Sequence, residues 1–316
     1  FMWKDIQYQL DRVSRSFALC IPVLEHGLRE IVGLAYILLR ILDSIEDSLL
    51  DKKTKERLFT KFIHLLSEEG ASKEDYRPFK EQEWQGISKH EVHLLTTDMM
   101  EKMIDYYWQL DKKYRLLIRC CVQEMAIGMQ KFSSSNQDVF VELSQEKKAL
   151  KTTSLYNEYC YYVAGTVGVL LTKICIRFYR SNLKFGKRLN FMSLAFGRLL
   201  QKVNIVKDCR EDLEKGLCFL PKDFIEIKDK KDINNIKMPL ILKDVKKDLA
   251  LAKDYVFDLP DNFSNFKQFC LLALLPAYKT LDFIKVHKSK FLDQDFVYKI
   301  PRSEMFECLT LASDFT

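Results

Sequence analysis

The chain has 316 residues, 47% of them hydrophobic and 30% charged, with only 10 Gly and 7 Pro. So much apolar material with so few turn residues points to long helices; the length allows one large domain or two, and with no boundary marked in the sequence a single domain, 1–316, is expected. Fifty Lys and Arg against 44 Asp and Glu leave a net charge of +6 spread along the sequence; this excludes a nucleic-acid footprint, which would cluster its basic residues.

Apolar residues recur every three to four positions, and this predicts helices over 4–20, 28–49, 54–68, 96–131, 154–179, 187–214, 241–256, 263–285 and 303–313. Between them, 70–90 reads as a connection, Ser133 to Gln137 as a polar turn, and Lys228 to Lys237 as a solvated loop. The longest apolar runs, Ile31–Leu39 and Phe269–Tyr278, are too short to cross a bilayer, and no secretory signal opens the sequence. Nine cysteines without a C-x-x-C pair read as buried free thiols in a reducing, cytoplasmic setting.

Two of these helices carry an unexpected load. The stretch Ile31 to Asp47 is apolar on nearly every side, yet Tyr36, Arg40, Asp43 and Asp47 fall on one stripe, with Glu46 at its flank. Burying such groups is costly unless they line a wet or metal-filled cavity. The second helix repeats the arrangement with Gln201, Asn204, Asp208 and Asp212, and Asp208-Cys-Arg-Glu-Asp212 copies the D-x-x-E-D pattern of Asp43-Ser-Ile-Glu-Asp47. Carboxylates spaced this way can bind Mg²⁺ that is also ligated by a diphosphate. Facing each other, two such helices would clamp diphosphates, and metal-assisted departure of the leaving group would permit ionisation to an allylic cation. Either motif alone could be a surface cluster paired with Lys or Arg; two copies on otherwise buried helices argue against that.

At these residues the sequence resembles the squalene/phytoene synthase family, its squalene synthase branch in particular. Ser14-Arg-Ser-Phe17 resembles the family's S-R-S-F segment, and Tyr36 to Asp47 its Y-x-x-x-R-x-x-D-x-x-E-D signature. Met125-Ala-Ile-Gly-Met129 is similar to M-G-I-G-M, Tyr159 to Gly168 to Y-C-H-Y-V-A-G-x-V-G, and Leu200 to Asp212 to L-Q-K-x-N-I-x-R-D-x-x-E-D. The resemblance implies an all-α isoprenoid synthase helical fold around a single central cavity. It also implies condensation of two farnesyl diphosphates to presqualene diphosphate, then reduction by NADPH to squalene. By the same resemblance, Asp43, Glu46, Asp47, Asp208 and Asp212 would hold Mg²⁺. Ser14, Arg15, Ser16 and Arg40 would contact phosphate oxygens. Phe17, Gln201, Asn204 and Lys207 would line the substrate site, and Tyr36 and Tyr159 would sit by the reacting carbons.

Each residue also has a structural alternative. Ser14 or Ser16 could cap a helix, Tyr36, Tyr159 and Phe17 could be core aromatics, and Arg40 could merely pair with Asp43 or Asp47. Gly165 and Gly168 read as positions that allow close helix packing or widen the cavity, in preference to binding phosphate. The C-terminal third departs from the pattern. Phe269-Cys270 resembles an F-C-A-I-P stretch, but Ala273 stands where that Pro would be. Lys299-Ile-Pro-Arg302 resembles the K-I-R-K segment linked to NADPH use, with Pro301 in place of a basic residue. Phe269, Lys299 and Arg302 are the resulting candidates for NADPH contact. Lys207 stands where the family has Arg, keeping charge but losing the bidentate fork. A relative that stops at dehydrosqualene, phytoene or presqualene diphosphate is the alternative enzyme. A non-catalytic assembly or lipid-binding member is disfavoured because all four key aspartates are present. The chain is expected to act as a monomer, with peripheral membrane contact for release of its apolar product.

Overall fold

The computed structural model describes residues 2–14, 16–144, 147–181, 186–228, 232–290, 293 and 296–314. The chain forms two compact units, one of Phe1–Gln130 with Leu170–Asn182, the other of Lys131–Val169 with Leu183–Thr316.

The first unit is built on α3 (Leu28–Asp47), whose Ile31, Leu34, Ile37, Leu38, Ile41, Leu42 and Ile45 are all buried. Gly27 starts α3 with φ +87°, a backbone state that suits glycine, and its N–H donates to the Glu30 carboxylate. Against α3 lies α1 (Met2–Val13), so close at Gly33 that a Cβ there would meet Ile6 Cγ2 at 2.6 Å. A short α2 (Phe17–Cys20) leads into a 3₁₀ turn, Ile21–Val23. Then follow α4 (Lys52–Ser67), α5 (Lys73–Lys80), α6 (Lys89–Thr96), α7 (Asp98–Gln109) and α8 (Lys112–Lys131). Side-chain caps at Asp51 and Ser88 satisfy first-turn amides of α4 and α6, accepting from Thr54 and Glu91 at 3.0 and 3.3 Å.

The second unit holds α9 (Thr153–Cys160), a π-helical turn Tyr161–Gly165, α10 (Thr166–Phe178) as far as Val169, and α11 (Lys187–Glu214). It continues with α12 (Met238–Asp258), α13 (Ser264–Val286) and α14 (Arg302–Asp314). Glycines let α11 approach the preceding turns closely: a Cβ at Gly168 would lie 2.1 Å from the Ser193 carbonyl, and one at Gly197 2.0 Å from that of Ala164. Small strands decorate the helices. β1 (Phe140–Ser144), β2 (Lys147–Leu150) and β3 (Leu217–Pro221) form a sheet in that order, while β4 (Ile225–Lys228) pairs antiparallel with β5 (Asp232–Ile236). Lys202 is fully buried and is held by Asp244 at 2.6 Å and Asp248 at 2.8 Å, tying α11 to α12.

Helices dominate, as periodicity predicts, but several local expectations fail. The stretch 70–90 holds α5 and the start of α6 in place of a plain connection. The expected helix over 96–131 breaks at Leu110, because Asp111 turns its carboxylate to the Lys113 N–H at 3.0 Å and opens a new helix. The expected loop 228–237 contains β5. Thr153–Phe178 is long and apolar enough to cross a membrane by length and composition, contrary to the sequence reading, and half of its most apolar window is buried within the fold, as in a core helix. The buried Cys209 and Cys218 are in contact, Sγ to Sγ 3.3 Å.

Candidate active site

The first unit gathers one set of the expected residues. Arg40, on α3, places Nη2 2.7 Å from Glu91 and Nη1 3.8 Å from Asp43. Glu91 belongs to α6, where it also accepts from Ser44 Oγ at 3.2 Å and from the Ser88 N–H at 2.9 Å. Its burial opposes ionisation, but the Ser88 hydroxyl, Arg40, the Ser88 amide and Ser44 together hold its carboxyl below the usual range. Sequence reasoning missed Glu91; the signal for it was Ser88-Lys-His-Glu91, a capping-box pattern that marks a helix start.

Asp43, Glu46 and Asp47 crowd the last turn of α3. Burial pushes the Asp43 carboxyl up to about 7, with Asp47 and Glu91 adding to the rise and Arg40 opposing it. Glu46 is raised well above the usual range by burial and by its two acidic neighbours, and it shares a hydrogen bond with Asp47. Asp47, itself solvent-exposed, is raised as well, first by desolvation. Lys55 sits nearby but spends a hydrogen bond on the Glu46 carbonyl, at 2.5 Å. The end of this helix is fastened. Ser48 Oγ donates to the Ile45 carbonyl at 2.7 Å, the Leu49 N–H to that of Gln85 at 2.9 Å, and Gly86, at φ +85°, leaves no room for a Cβ against Leu49 and the Asp47 carbonyl.

Tyr36 and Phe17 meet with ring centroids 5.2 Å apart. Burial raises the Tyr36 hydroxyl above its ordinary pKa, and Ser14, hydrogen-bonded to it, opposes the rise. Ser14 Oγ also accepts the Phe17 N–H at 3.0 Å, so Ser14 both caps α2 and reaches the tyrosine. Ser16 is exposed and makes no cap bond, and Arg15 lies outside the described residues.

The second unit gathers another set on α11. Lys207 Nζ lies 3.3 Å from both Asn204 Oδ1 and Asp208 Oδ2. Burial raises the Asp208 carboxyl, Lys207 opposes this, and Glu211 adds to it. Gln201 and Asp212 lie on the same stripe, both partly exposed. Arg210, inside the motif, donates through Nη1 to the carbonyls of Asp293 and Phe296, the latter at 2.8 Å. Tyr159 is 6% exposed, stacked on Phe219 at 4.2 Å and edge-on to Phe132. Lys299 and Arg302 are exposed, three residues apart. Phe269 is 1% exposed and stacks on Phe266, so a dinucleotide could touch it only after the core opened.

Mg²⁺ suits both acidic patches. Carboxylates raised by burial and by one another ionise more readily beside a divalent cation. Among the described residues no three His, Cys, Asp or Glu side chains converge as a protein-only cage, and Mg²⁺ that takes its remaining oxygens from diphosphate and water needs none. For NADPH, Lys299 and Arg302 suit a 2′-phosphate, whereas Phe269 as placed does not suit the dinucleotide.

The squalene/phytoene synthase model matches residues 10–304. The chain belongs to the squalene/phytoene synthase family. Among individual relatives of this squalene/phytoene synthase family chain, the squalene synthase of Schizosaccharomyces pombe is 32% identical over 222 residues, 68% of this chain and 44% of that one. The squalene synthase of Solanum lycopersicum is 29% identical over 292 residues, 88% of this chain and 64% of that one. That of Dictyostelium discoideum is 31% identical over 217 residues, covering 68% and 46%. The chain thus matches from under half to about two thirds of these relatives' own length. In fold it is similar to a solved TcSQS with a bound ligand, at TM-score 0.78 and 23% identity over 98% of this chain and 86% of that one. A solved dehydrosqualene synthase gives TM-score 0.60 at 15% identity over 99% and 97%. These likenesses establish the isoprenoid synthase helical fold.

Proposed function

We propose that this chain is an Mg²⁺-dependent farnesyl-diphosphate farnesyltransferase that condenses two farnesyl diphosphates head-to-head to presqualene diphosphate and reduces that intermediate to squalene with NADPH. The observation that carries the reading is the repeated D-x-x-E-D motif, each copy on a long helix whose leading aspartate is raised by burial. The relatives named squalene synthase at about 30% identity support the choice of substrate.

In this reading Asp43, Glu46, Asp47, Asp208 and Asp212 hold Mg²⁺, and both units serve one catalytic domain. Bound Mg²⁺ would neutralise the diphosphates and favour their departure. Arg40 and Lys207 add positive charge where the leaving group's charge grows. Gln201 and Asn204 supply neutral polar contacts beside the second motif. Phe17 and Tyr36 offer π-faces to the carbocation and exclude water from it; Tyr36, kept protonated, adds no anion of its own. Tyr159, sunk among Phe132 and Phe219, shapes the apolar wall. Bound NADPH would supply the hydride, with Lys299 and Arg302 near its phosphate. Peripheral contact with a membrane is the proposed exit for the product.

A second reading stops before reduction, and the buried Phe269 together with Pro301 in the Lys299–Arg302 segment favours it. Incubation with farnesyl diphosphate and Mg²⁺, with and without NADPH, separates the two. Squalene only when NADPH is present supports the first; presqualene diphosphate or dehydrosqualene regardless of NADPH supports the second. Pyrophosphate release without any C30 product would sink both.

A further inference from the structure

We propose that Glu91 is a positioning residue for the condensation: its buried carboxylate holds the Arg40 guanidinium in the orientation that meets the substrate diphosphate. This rests on the function proposed above, since it takes Arg40 to be a diphosphate contact.

The geometry is specific. Oε1 of Glu91 faces Arg40 Nη2 at 2.7 Å and accepts from Ser44 Oγ, while Oε2 accepts from the Ser88 N–H. Both oxygens are therefore engaged, and the side chain is 6% exposed. A charged carboxylate fixed from three sides is a rigid anchor. The anchor sits on α6 and the guanidinium on α3, so neither backbone alone dictates the pairing. Arg40 has one nitrogen held at short range. Nη1 stands 3.8 Å from Asp43, beside the carboxylate proposed to hold the metal, and Nε is buried with no hydrogen-bond partner among the described residues. A long side chain released from such an anchor regains rotamer freedom that must be lost again each time it meets a phosphate.

Glu91 also closes the cap of α6, so a loss of function could reflect misfolding alone. Two variants separate the roles. Glu91→Gln keeps an oxygen for the Ser88 amide and removes the charge that holds Arg40. Ser88→Ala removes the capping hydroxyl and leaves the Arg40 contact intact. Binding of inorganic pyrophosphate with Mg²⁺ is measured by calorimetry, melting temperature in parallel, and kcat and KM with farnesyl diphosphate.

The expected result is a split. Glu91→Gln weakens pyrophosphate binding and lowers kcat by about tenfold or more, while its melting temperature stays close to that of the parent. Ser88→Ala lowers the melting temperature and leaves binding unchanged. In an Arg40→Leu background, Glu91→Gln has no further effect on binding. The proposal is overturned if Glu91→Gln binds and turns over as the parent does. It is equally overturned if the Glu91 and Arg40 effects simply add, if the two cap variants lose affinity alike, or if the parent binds no pyrophosphate. Pyrophosphate binding by the parent without any C30 product would instead refute the proposed function and leave the role of Glu91 standing on the binding data.

Discussion

Asp43 shows how a residue suited to its chemistry works against the fold that carries it. The folded chain keeps its proton up to about pH 7, whereas an unfolded aspartate releases it at roughly pH 4. The folded state binds the extra proton between those limits, so metal-free stability falls as pH rises from about 4 to about 7. Asp43→Asn should flatten that slope, raise the melting temperature of the metal-free chain at neutral pH, and abolish presqualene diphosphate formation. Adding Mg²⁺ should restore stability to the parent at pH 7 and do little for the variant. Melting curves across pH with and without Mg²⁺ check the sign; a parent whose metal-free stability rises over this range would refute it. Lys299→Ala carries the other residue-scale expectation: presqualene diphosphate forms normally while the NADPH-dependent step slows, visible as a raised KM for NADPH.

At the scale of elements, the acidic helices were legible because a polar stripe on an apolar helix is a conflict the sequence displays openly. Asp43, Asp47, Asp208 and Asp212 needed only the helical repeat to be aligned. Glu91 was not legible as a partner, because its contact with Arg40 spans 51 positions and no periodicity reports it. The strands were missed for a related reason: segments such as Lys147–Leu150 are too short to show alternation, and pairing with Leu217–Pro221 stabilises them only once the chain has folded. Of the two roles expected for Gly165 and Gly168, close packing has its counterpart in the 2.1 Å that a Cβ at Gly168 would leave to the Ser193 carbonyl, and Gly197, which the sequence did not mark, faces the same turn as closely. Gly197→Ala gains helix propensity of about 1 kcal/mol but sets a Cβ 2.0 Å from the Ala164 carbonyl, and overpacking should cost about 1–3 kcal/mol. Gly186→Ala, with nothing among the described residues within 4 Å of the new Cβ, serves as the control; urea denaturation should leave it near the parent. Arg210→Met should free the backbone at Asp293 and Phe296, speeding protease cleavage over 296–300 and impairing reduction more than condensation.

For the whole molecule, the reading of one reaction served by both units makes a non-additive expectation. Groups that act as one catalytic assembly lose nearly everything when any of them is removed. Asp43→Asn and Asp208→Asn should each bring C30 product formation close to background, and the double variant should fall little further. Product assays on the three proteins check this, and a double variant that multiplies two modest single losses would show the motifs working separately. Composition, with 10 Gly and 7 Pro in 316 residues, foretold the helical class. The grouping into two units was invisible, because the first takes its last stretch, Leu170–Asn182, from beyond the start of the second, and no linker marks such an exchange.

The fastening of α3 has a consequence for how this region opens. Ser48, Leu49 and Gly86 join the end of the first acidic motif to the turn that precedes α6, and Glu91 joins α6 back to Arg40 about two turns earlier. Residues 40–49 and 85–91 thus close a short loop of contacts. Their amides should exchange with solvent deuterium as one cooperative group, opening together or staying shut together. Glu91→Gln would then accelerate exchange not only at α6 but also along the last turn of α3, where the chain itself is unchanged.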